Sequence, residues 1–440
     1  MTTTAVDQSA PEPSAPEPSV PDAPTEDRPD RLTDRLHRWA LVTVRPRGWR
    51  WWAQVLVVYA IARLFSAVVF VLVAQHQAAN GWTGEHPSYA DYVGRMFDAT
   101  WYLRVAEDGY PHELPLRDDG TVDQNAWAFY PLFPVVVKLL MSVTGLAWTT
   151  IAPTLSLLLG AGAVLVIYRL VQVGGARAVA RCAPLPLATV TLVSFFPSSP
   201  VMQTAYTESL ALLLIAGTLY LMALRRYWWA IGVVVLLGLT RSVALPMAAV
   251  VLWHGLWRWW HARRGADPLP GRDVWGVVSL FVASVVSGLL WLEVAAWVTG
   301  RSDAYFATQA AWRSGPVKYF EPWVTNSKII FHEHGPWVLA GILLVVVAML
   351  LSPVAFRLGP EIQGWGAAYV AYLVLVTDPW TSTWRFLLLA FPLLAIMVGW
   401  VRGRFRFTAW MTSLMLLFLW LQAVWVWQLW RFIPPSDWAP

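Results

Sequence analysis

The chain of 440 residues is strongly apolar and carries little charge. Hydrophobic residues make up 57% of it and charged residues only 13%, with a mean hydropathy of +0.49. This composition excludes an ordinary soluble globular domain, and several apolar runs reach the roughly 20 residues that a helix needs to cross a bilayer. The net charge of +5 comes from arginine and lysine in loops, so it indicates membrane orientation and no nucleic-acid partner. The single cysteine, Cys182, excludes a disulfide framework and a cysteine-based metal site.

The first 48 residues differ from the rest in composition. Met1 to about Asp30 is rich in proline, serine and acidic residues, so it is predicted to be disordered because it cannot bury enough apolar surface. Basic residues accumulate from Arg31 to Arg50, directly before the first apolar run. This order predicts a cytoplasmic tail over residues 1–48, followed by an uncleaved signal anchor.

Residues 49–432 are predicted to form one all-α polytopic membrane domain. Nine apolar runs have the composition of spans: 51–74, 150–171, 182–197, 207–224, 274–298, 336–356, 364–377, 385–401 and 407–430. The run 228–257 is too long for one crossing and lies between basic residues, so it is predicted to cross twice, with Arg241 near the outer turn. This topology has about eleven crossings.

The segment 127–145 is predicted to be a kinked interfacial or re-entrant element. It is long enough to cross but carries Pro131, Pro134 and Lys138, and a full crossing would move the following basic loops outside. The topology then leaves two outer loops, at about 75–126 and 299–335, the first of which is large.

An ionisable residue within the depth of the bilayer costs free energy, so such residues usually pair with one another or line a water-filled cavity. In this topology the polar residues that are hardest to explain lie on the outer side: Asp98, Glu208, Arg241, Gln309, Trp312, Arg313, Lys318 and Arg385. Two acids and several cations at one membrane face predict a site for a phosphorylated lipid substrate.

Asp98 begins an acidic, aromatic stretch in the first outer loop, FDATWYLRVAEDGYP at 97–111. Trp101, Tyr102 and Val105 follow at helical spacing, the pattern of an amphipathic surface helix. Asp98 is therefore either the N-cap of that helix or a catalytic carboxylate. Asp108, beside a glycine, is expected to shape a turn.

The other charged candidates also have two interpretations. Glu208 either complements the dipole at the start of a helix or takes part in the site. Arg241 either snorkels to the outer surface or offers its planar guanidinium to a phosphate. His332-Glu333-His334 resembles a metal cluster, but its i, i+2 spacing does not place both imidazoles on one helix face, so no metal site is expected there.

Five blocks, in their order and spacing, resemble the PIG-V-type mannosyltransferases, which are polytopic GT-C glycosyltransferases. The blocks are FDATWYLRVAEDGYP, AFYPLFPVVVKLL, FFPSSPVMQTAYTESLALLL, LTRSVALPM and FATQAAWRSGP, and the resemblance covers roughly residues 50–400. It implies a GT-C-like fold and mannosyl transfer from a polyprenyl-phosphate sugar to a lipid- or glycan-linked acceptor on the outer face of the plasma membrane. The catalytic acid of the family lies in the first outer loop, which matches Asp98. No cofactor is implied, and dependence on a divalent metal stays open.

The expected mechanism is an inverting transfer in which Asp98 accepts the proton of the acceptor hydroxyl. The lipid phosphate departs as a stable anion, so it needs only fixed cations, which Arg241 with Arg313 or Arg385 would supply. Glu208 is expected to orient the acceptor or to hold the Asp98 loop. Candidate substrate-binding residues are Trp101, Tyr102, Tyr206, Gln309 and Trp312.

Two other function classes are weighed against the transferase. A transporter or flippase for a lipid-linked sugar would have broken helices in paired halves and a through-going cavity. The 97–111 block is not repeated elsewhere in the chain, and the polar residues lie toward one face. A structural membrane subunit would not explain the ordered run of blocks.

Overall fold

The computed structural model describes residue 2 and residues 49–434, except positions 314 and 316. The prediction for the tail, residues 1–48, therefore lies outside the described residues, apart from Thr2. The regular secondary structure of the described chain is helical and includes no β-strand, although Leu116 and Val122 form one isolated antiparallel bridge. The prediction of an all-α protein is thus confirmed for this part of the chain.

Five helical segments are long and apolar enough to cross a membrane. They are Trp51–Ala74, Trp148–Gly174, Gly271–Thr299, Glu321–Arg357 and Arg404–Trp430. Large apolar side chains remain exposed on them, among them Leu64 at 67%, Val282 at 53% and Leu344 at 70%. An apolar outer surface is what a lipid-facing helix requires, so these five segments are consistent with a membrane protein. Eleven crossings and the GT-C-like arrangement stay predictions.

The described chain contains nineteen α-helices by our numbering. In chain order they are α1 (Trp51–Ala74), α2 (Tyr89–Arg95), α3 (Asp98–Asp108), α4 (Leu132–Thr144), α5 (Trp148–Gly174), α6 (Ala176–Val179), α7 (Leu185–Phe195), α8 (Glu208–Ala223), α9 (Tyr227–Gly238), α10 (Ala244–Arg263), α11 (Gly271–Thr299), α12 (Ala304–Arg313), α13 (Glu321–Phe331), α14 (Gly335–Leu350), α15 (Pro353–Arg357), α16 (Pro360–Val376), α17 (Thr383–Leu387), α18 (Pro392–Gly399) and α19 (Arg404–Trp425). Short 3-10 turns occupy Ala126–Ala128, Ser199–Gln203, His332–His334 and Leu388–Ala390, and a π turn occupies Val426–Trp430.

Several predicted spans are shorter as helices than as apolar runs. The helices α7 and α8 contain 11 and 16 residues, which corresponds to roughly 17–24 Å at about 1.5 Å per residue. Pro197 and Pro200 interrupt the run between them, because proline removes a helical hydrogen bond and clashes with the preceding turn. The apolar run 228–257 divides into α9 and α10 at residues 239–243, so Arg241 lies in the break between two helices.

The helices meet at two ends of the bundle. At one end, which we call the Asp98 end, Trp148 Nε1 at the start of α5 donates to the carbonyl of Gly94 at 2.8 Å. At the other end, the carbonyl of Gly174 lies so close to Gly359 that an added Cβ would approach the oxygen to 2.7 Å. Gly359 also has a φ of 90°, so glycine is required there for both reasons.

The second end collects most of the arginines, and we call it the arginine end. Its members lie at the ends of α10 and α15, in the turns that follow α6, α8, α10 and α18, and at the starts of α11 and α19. They include Arg181, Arg225, Arg226, Arg263, Arg264, Arg272, Arg357, Arg402, Arg404 and Arg406. The acidic side chains of α3 and α8 that concern the site lie at the opposite end.

Candidate functional site

Four charged side chains from four separate segments form one continuous network at the Asp98 end. Asp98 Oδ2 lies 2.6 Å from Arg385 Nη2, and Arg385 Nη1 lies 3.4 Å from Glu208 Oε1. The same Glu208 oxygen accepts a hydrogen bond from Arg241 Nη1 at 2.6 Å. Acids and cations alternate along this charge network (Asp98, Arg385, Glu208 and Arg241), and its formal charges cancel.

Exposure differs along the charge network. The side chain of Glu208 is fully buried at 0%, and that of Arg385 is 9% exposed, whereas those of Asp98 and Arg241 are each 16% exposed. Among the described residues, Glu208 Oε2 has no hydrogen-bond partner. Glu208 is therefore the enclosed centre of the network, and Asp98 and Arg241 are the two members that reach the surface.

Asp98 is the first residue of α3, and the cap position belongs to Phe97. Phe97 has a φ of 53° and provides no side-chain cap. Its ring is buried against Trp82 and Trp430, at centroid distances of 4.9 and 6.1 Å. The interpretation of Asp98 as a helix N-cap is therefore wrong: packing of Phe97 fixes the helix start one residue earlier, and the Asp98 carboxylate contacts Arg385 instead.

The other three members of the network also lie at helix boundaries. Glu208 begins α8 after the segment that contains Pro197 and Pro200. Arg241 lies in the break between α9 and α10, and Arg385 lies in the short helix α17. Helix starts, a helix break and a short helix therefore place all four charges together at the end of the bundle.

Two tyrosines that the sequence assigns to substrate binding are buried. Tyr206 has 0% exposure, and its hydroxyl accepts a hydrogen bond from the Asp98 backbone N–H at 3.2 Å. Its ring lies under the Arg385 guanidinium at 5.1 Å, a cation–π contact. Tyr102 is 6% exposed and its hydroxyl lies 3.1 Å from Thr207 Oγ1. Both tyrosines therefore pack against the buried side of the charge network, and almost none of their own surface is open to a substrate.

Aromatic side chains form a half-buried surface one helical turn from Asp98. Trp101 stacks on Phe129, with ring centroids 5.6 Å apart and an interplanar angle of 4°. Trp312 meets both rings edge-on, at 5.1 and 5.4 Å. Trp101 and Trp312 therefore lie in one cluster, although α3 and α12 are about 200 residues apart in the chain.

Three further candidates from the second outer loop do not contact the charge network. Arg313 Nη1 donates to the carbonyl of Val376 at 2.9 Å. Lys318 pairs with Glu321 at 2.8 Å, and this hydrogen bond raises the pKa of Lys318. Gln309 is half-buried on α12. Of the three predicted phosphate-binding arginines, the structure therefore brings together Arg241 and Arg385 and places Arg313 on a backbone carbonyl.

Arg63 supports the site and was missed by the sequence reasoning. It is 5% exposed, and its Nη2 donates to the carbonyl of Ser194 at 2.6 Å and to Ser199 Oγ at 2.8 Å, while Nη1 donates to the carbonyl of Ser199. It therefore anchors the proline-containing segment that leads to Glu208. The available signal was its position, because Arg63 is the one charged residue within the apolar run 51–74.

A second series of connected, buried ionisable side chains lies toward the arginine end. His254 Nδ1 is 2.8 Å from Glu361 Oε1, and His254 Nε2 is 3.0 Å from the Tyr227 hydroxyl. Arg258 Nη1 donates to that hydroxyl at 2.8 Å and to Asp273 Oδ2 at 2.6 Å. The sequence signal was weaker here, because only His254 lies inside a predicted apolar run, 228–257, and the other members lie just outside the runs.

Two surface pockets, of about 380 and 240 Å³, also lie at the arginine end. Arg225, Arg226 and Arg272 line the first, and Arg181, Arg357 and Arg402 line the second. No member of the charge network lines either pocket, so the two ends of the bundle offer different surfaces.

The histidine-containing turn is exposed. His334 Nε2 lies 3.9 Å from Glu333 Oε1, and both side chains are more than three-quarters exposed, at 77% and 86%. Within residues 49–434 as described, no group of three or more His, Cys, Asp or Glu side chains is placed to hold a metal ion.

No protein-family model matches this chain, and no curated protein matches it.

Proposed function

We propose that this chain is a GT-C-type mannosyltransferase that uses a polyprenyl-phosphate sugar donor at the outer face of the plasma membrane. The supporting observation is the charge network, in which a partly exposed carboxylate and a partly exposed guanidinium share one buried scaffold. Asp98 and Arg241 are linked through Arg385 and Glu208 by contacts of 2.6–3.4 Å. A site that combines a base and a cation at the end of an apolar bundle suits a lipid-linked phosphate sugar.

Asp98 is the proposed general base. Its Oδ2 faces Arg385, whereas Oδ1 makes no hydrogen bond to the described residues. An acceptor hydroxyl that approaches Oδ1 would transfer its proton there while its oxygen attacks the anomeric carbon, and the bond to the phosphate oxygen breaks. General base catalysis of this kind requires hydrogen-bond reach between the carboxylate and the hydroxyl. The fixed position of Asp98 at the start of α3 supports that reach.

Arg241 is the proposed phosphate ligand. Its Nη1 is occupied by Glu208 and by Thr207 Oγ1, at 2.6 and 3.2 Å. Its Nε and Nη2 make no hydrogen bond to the described residues, so two donors of the guanidinium fork are free for phosphate oxygens. Such a cation stabilises the negative charge that develops on the leaving phosphate, which needs no general acid.

Glu208 and Arg385 are proposed as positioning residues. Complete burial of Glu208 prevents direct contact between its carboxylate and an acceptor. It holds Arg241 and Arg385 instead, and Arg385 in turn holds Asp98. The half-buried rings of Trp101 and Trp312 are proposed to form the wall along which the sugar lies.

Transport or flipping of a lipid-linked sugar is the second candidate function. The observation that favours it is the series of connected side chains from Glu361 through His254 and Tyr227 to Arg258. Buried series of ionisable side chains often serve as proton relays in transporters. Under this function the same donor lipid would change leaflet without being consumed.

A reconstituted assay separates the two functions. Purified protein in proteoliposomes, supplied with synthetic polyprenyl-phosphate mannose and a membrane-lipid extract as acceptor, is expected to release polyprenyl phosphate and to form a mannosylated lipid or glycan. Donor chemistry is followed by mass spectrometry and donor sidedness by accessibility to an impermeant oxidant. An intact donor that redistributes between leaflets would establish the flippase instead. An intact donor that stays in its leaflet would contradict both functions.

Arg241→Lys is expected to reduce donor efficiency, measured as kcat/KM for the donor, with little change in the KM for the acceptor. Lysine keeps the charge that pairs with Glu208 but loses the forked geometry. The loss of a charge-assisted hydrogen bond costs about 1.5–3 kcal/mol, or roughly 10–100-fold in donor efficiency. Arg313→Lys is the matched control, because Arg313 bonds a backbone carbonyl away from the network. Equal donor efficiency in wild type and Arg241→Lys would return Arg241 to a structural role.

A further inference from the structure

The second pocket at the arginine end brings together three arginines from distant parts of the chain. Arg181 follows α6, Arg357 ends α15, and Arg402 lies between α18 and α19. The pocket has a volume of about 240 Å³, and Ala178, Cys182, Val354, Gly399 and Val401 complete its lining. Gly399 permits its close walls, because an added Cβ would approach Val354 Cγ1 to 2.5 Å.

None of the three arginines is paired with an acidic side chain in the described part of the chain. Among the described residues, Arg181, Arg357 and Arg402 form no ion pair within 4.0 Å, and no acidic residue lines the pocket. The neighbouring pocket differs, because its Arg225 pairs with Asp267 at 2.6 Å and Asp273 lines its wall. Three guanidinium groups that share one pocket repel each other unless an anion lies between them.

The surroundings of this pocket are those of a lipid interface. Leu351, Trp400 and Phe405 flank the lining residues in sequence and are 63%, 47% and 68% exposed. Exposed leucine and phenylalanine indicate contact with acyl chains, and an exposed tryptophan is typical of headgroup depth. A ligand in the pocket would therefore have its polar part among the arginines and its apolar part against this surface.

We propose that this arginine pocket binds the phosphate of an anionic phospholipid headgroup from the surrounding bilayer. Arginine suits the ligand because its planar fork matches phosphate oxygens and it stays charged when partly dehydrated. Basic pockets between membrane helices are a known form of anionic headgroup site. The site lies at the opposite end of the bundle from Asp98, so it is independent of the proposed transferase chemistry.

Cys182 provides a built-in probe, because it lines the pocket and is the one cysteine of the chain. The rate of its alkylation by neutral N-ethylmaleimide is measured in nanodiscs of phosphatidylcholine, in nanodiscs that also contain phosphatidylglycerol, and in phosphatidylcholine nanodiscs with free glycerol phosphate. We expect phosphatidylglycerol to slow alkylation roughly tenfold or more, because a headgroup held by the three arginines would cover the thiol. Slowing by phosphatidylglycerol alone supports the headgroup site. Equal slowing by free glycerol phosphate would overturn the assignment to lipid, and equal rates in all three arms would overturn the site itself.

Substitution of the pocket provides the second arm. In Arg181→Gln/Arg357→Gln/Arg402→Gln, the ratio of alkylation rates with and without phosphatidylglycerol is expected to fall to about one. The matched control, Arg263→Gln/Arg404→Gln/Arg406→Gln, removes the same charge from the same end but outside the pocket lining. It is expected to keep the wild-type ratio. Ratios are compared within each protein, because arginine loss also changes the intrinsic reactivity of the thiol. Loss of protection in the control as well would assign the effect to general surface charge and overturn the pocket. The lipid series on the wild-type protein tests the proposal even if a triple variant fails to fold.

Discussion

Asp98→Asn is expected to lower the rate of sugar transfer by roughly 10²–10⁴-fold, the usual contribution of a general base, with a thermal unfolding temperature close to wild type. Asparagine has nearly the same shape as aspartate and keeps an oxygen toward Arg385, but it cannot take up the proton of the acceptor hydroxyl. Arg385 keeps its contact with Glu208 in this variant, which limits the stability lost with the charge. Transfer is measured in a single turnover with saturating donor, and unfolding is measured on the same detergent-purified protein.

The control for this experiment is Asp108→Asn, at the other end of the same helix α3. Asp108 is exposed and lies outside the charge network, so its amide variant should transfer sugar at the wild-type rate. If Asp98→Asn also retained most of its activity, Asp98 would not be the base. Reduced activity together with early unfolding would instead identify Asp98 as a structural partner of Arg385.

Glu208→Ala is expected to be the most destabilising single change in the charge network. It leaves Arg241 without an acid and Arg385 with Asp98 alone, in surroundings where Glu208 itself is fully buried. Removal of one partner from a buried ion pair costs about 3–5 kcal/mol, since an uncompensated charge stays behind. The measurement is the thermal unfolding temperature and the yield of monodisperse protein in detergent. Glu107→Ala, which removes an exposed acid of α3, should change neither.

A double variant separates loss of charge balance from loss of the carboxylate itself. Glu208→Gln/Arg241→Gln removes one acid and one cation together, so its destabilisation should be smaller than the sum of the two single changes by about 0.5–3 kcal/mol. Additive losses would show that Glu208 and Arg241 do not depend on each other. A Glu208→Ala protein as stable as wild type would contradict the central position of this carboxylate.

Scarcity of charge allowed much of the site to be predicted from the sequence. In an apolar chain each ionisable residue must be compensated, so Asp98, Glu208, Arg241 and Arg385 were recognised as unusual from composition and topology alone. The structure places all four in contact, although Glu208 and Arg385 are separated by 177 residues. The same reasoning applies to Arg63, whose partners are backbone carbonyls and the Ser199 hydroxyl and therefore leave no complementary charge in the sequence.

The arrangement within the site could not be predicted, because it depends on where helices begin and end. Arg313 and Arg385 carry the same side chain at the same predicted face, yet α12 directs Arg313 to the Val376 carbonyl while α17 brings Arg385 between two acids. The cap interpretation of Asp98 rests on the general preference for aspartate at that position, which Phe97 occupies instead. Apolar runs also hid the helix interruption after Phe195, which makes α7 too short to match its predicted span.

The alternation of negative and positive charges in the charge network limits which substitutions this protein can accept during evolution. A mutation that neutralises any one of the four positions leaves the network with one uncompensated charge in a poorly hydrated place, and selection would act against it. An evolutionary path that selection tolerates would replace one acid and one arginine of the network in close succession. We therefore expect homologues either to conserve all four residues (Asp98, Glu208, Arg241 and Arg385) or to lack them in oppositely charged pairs.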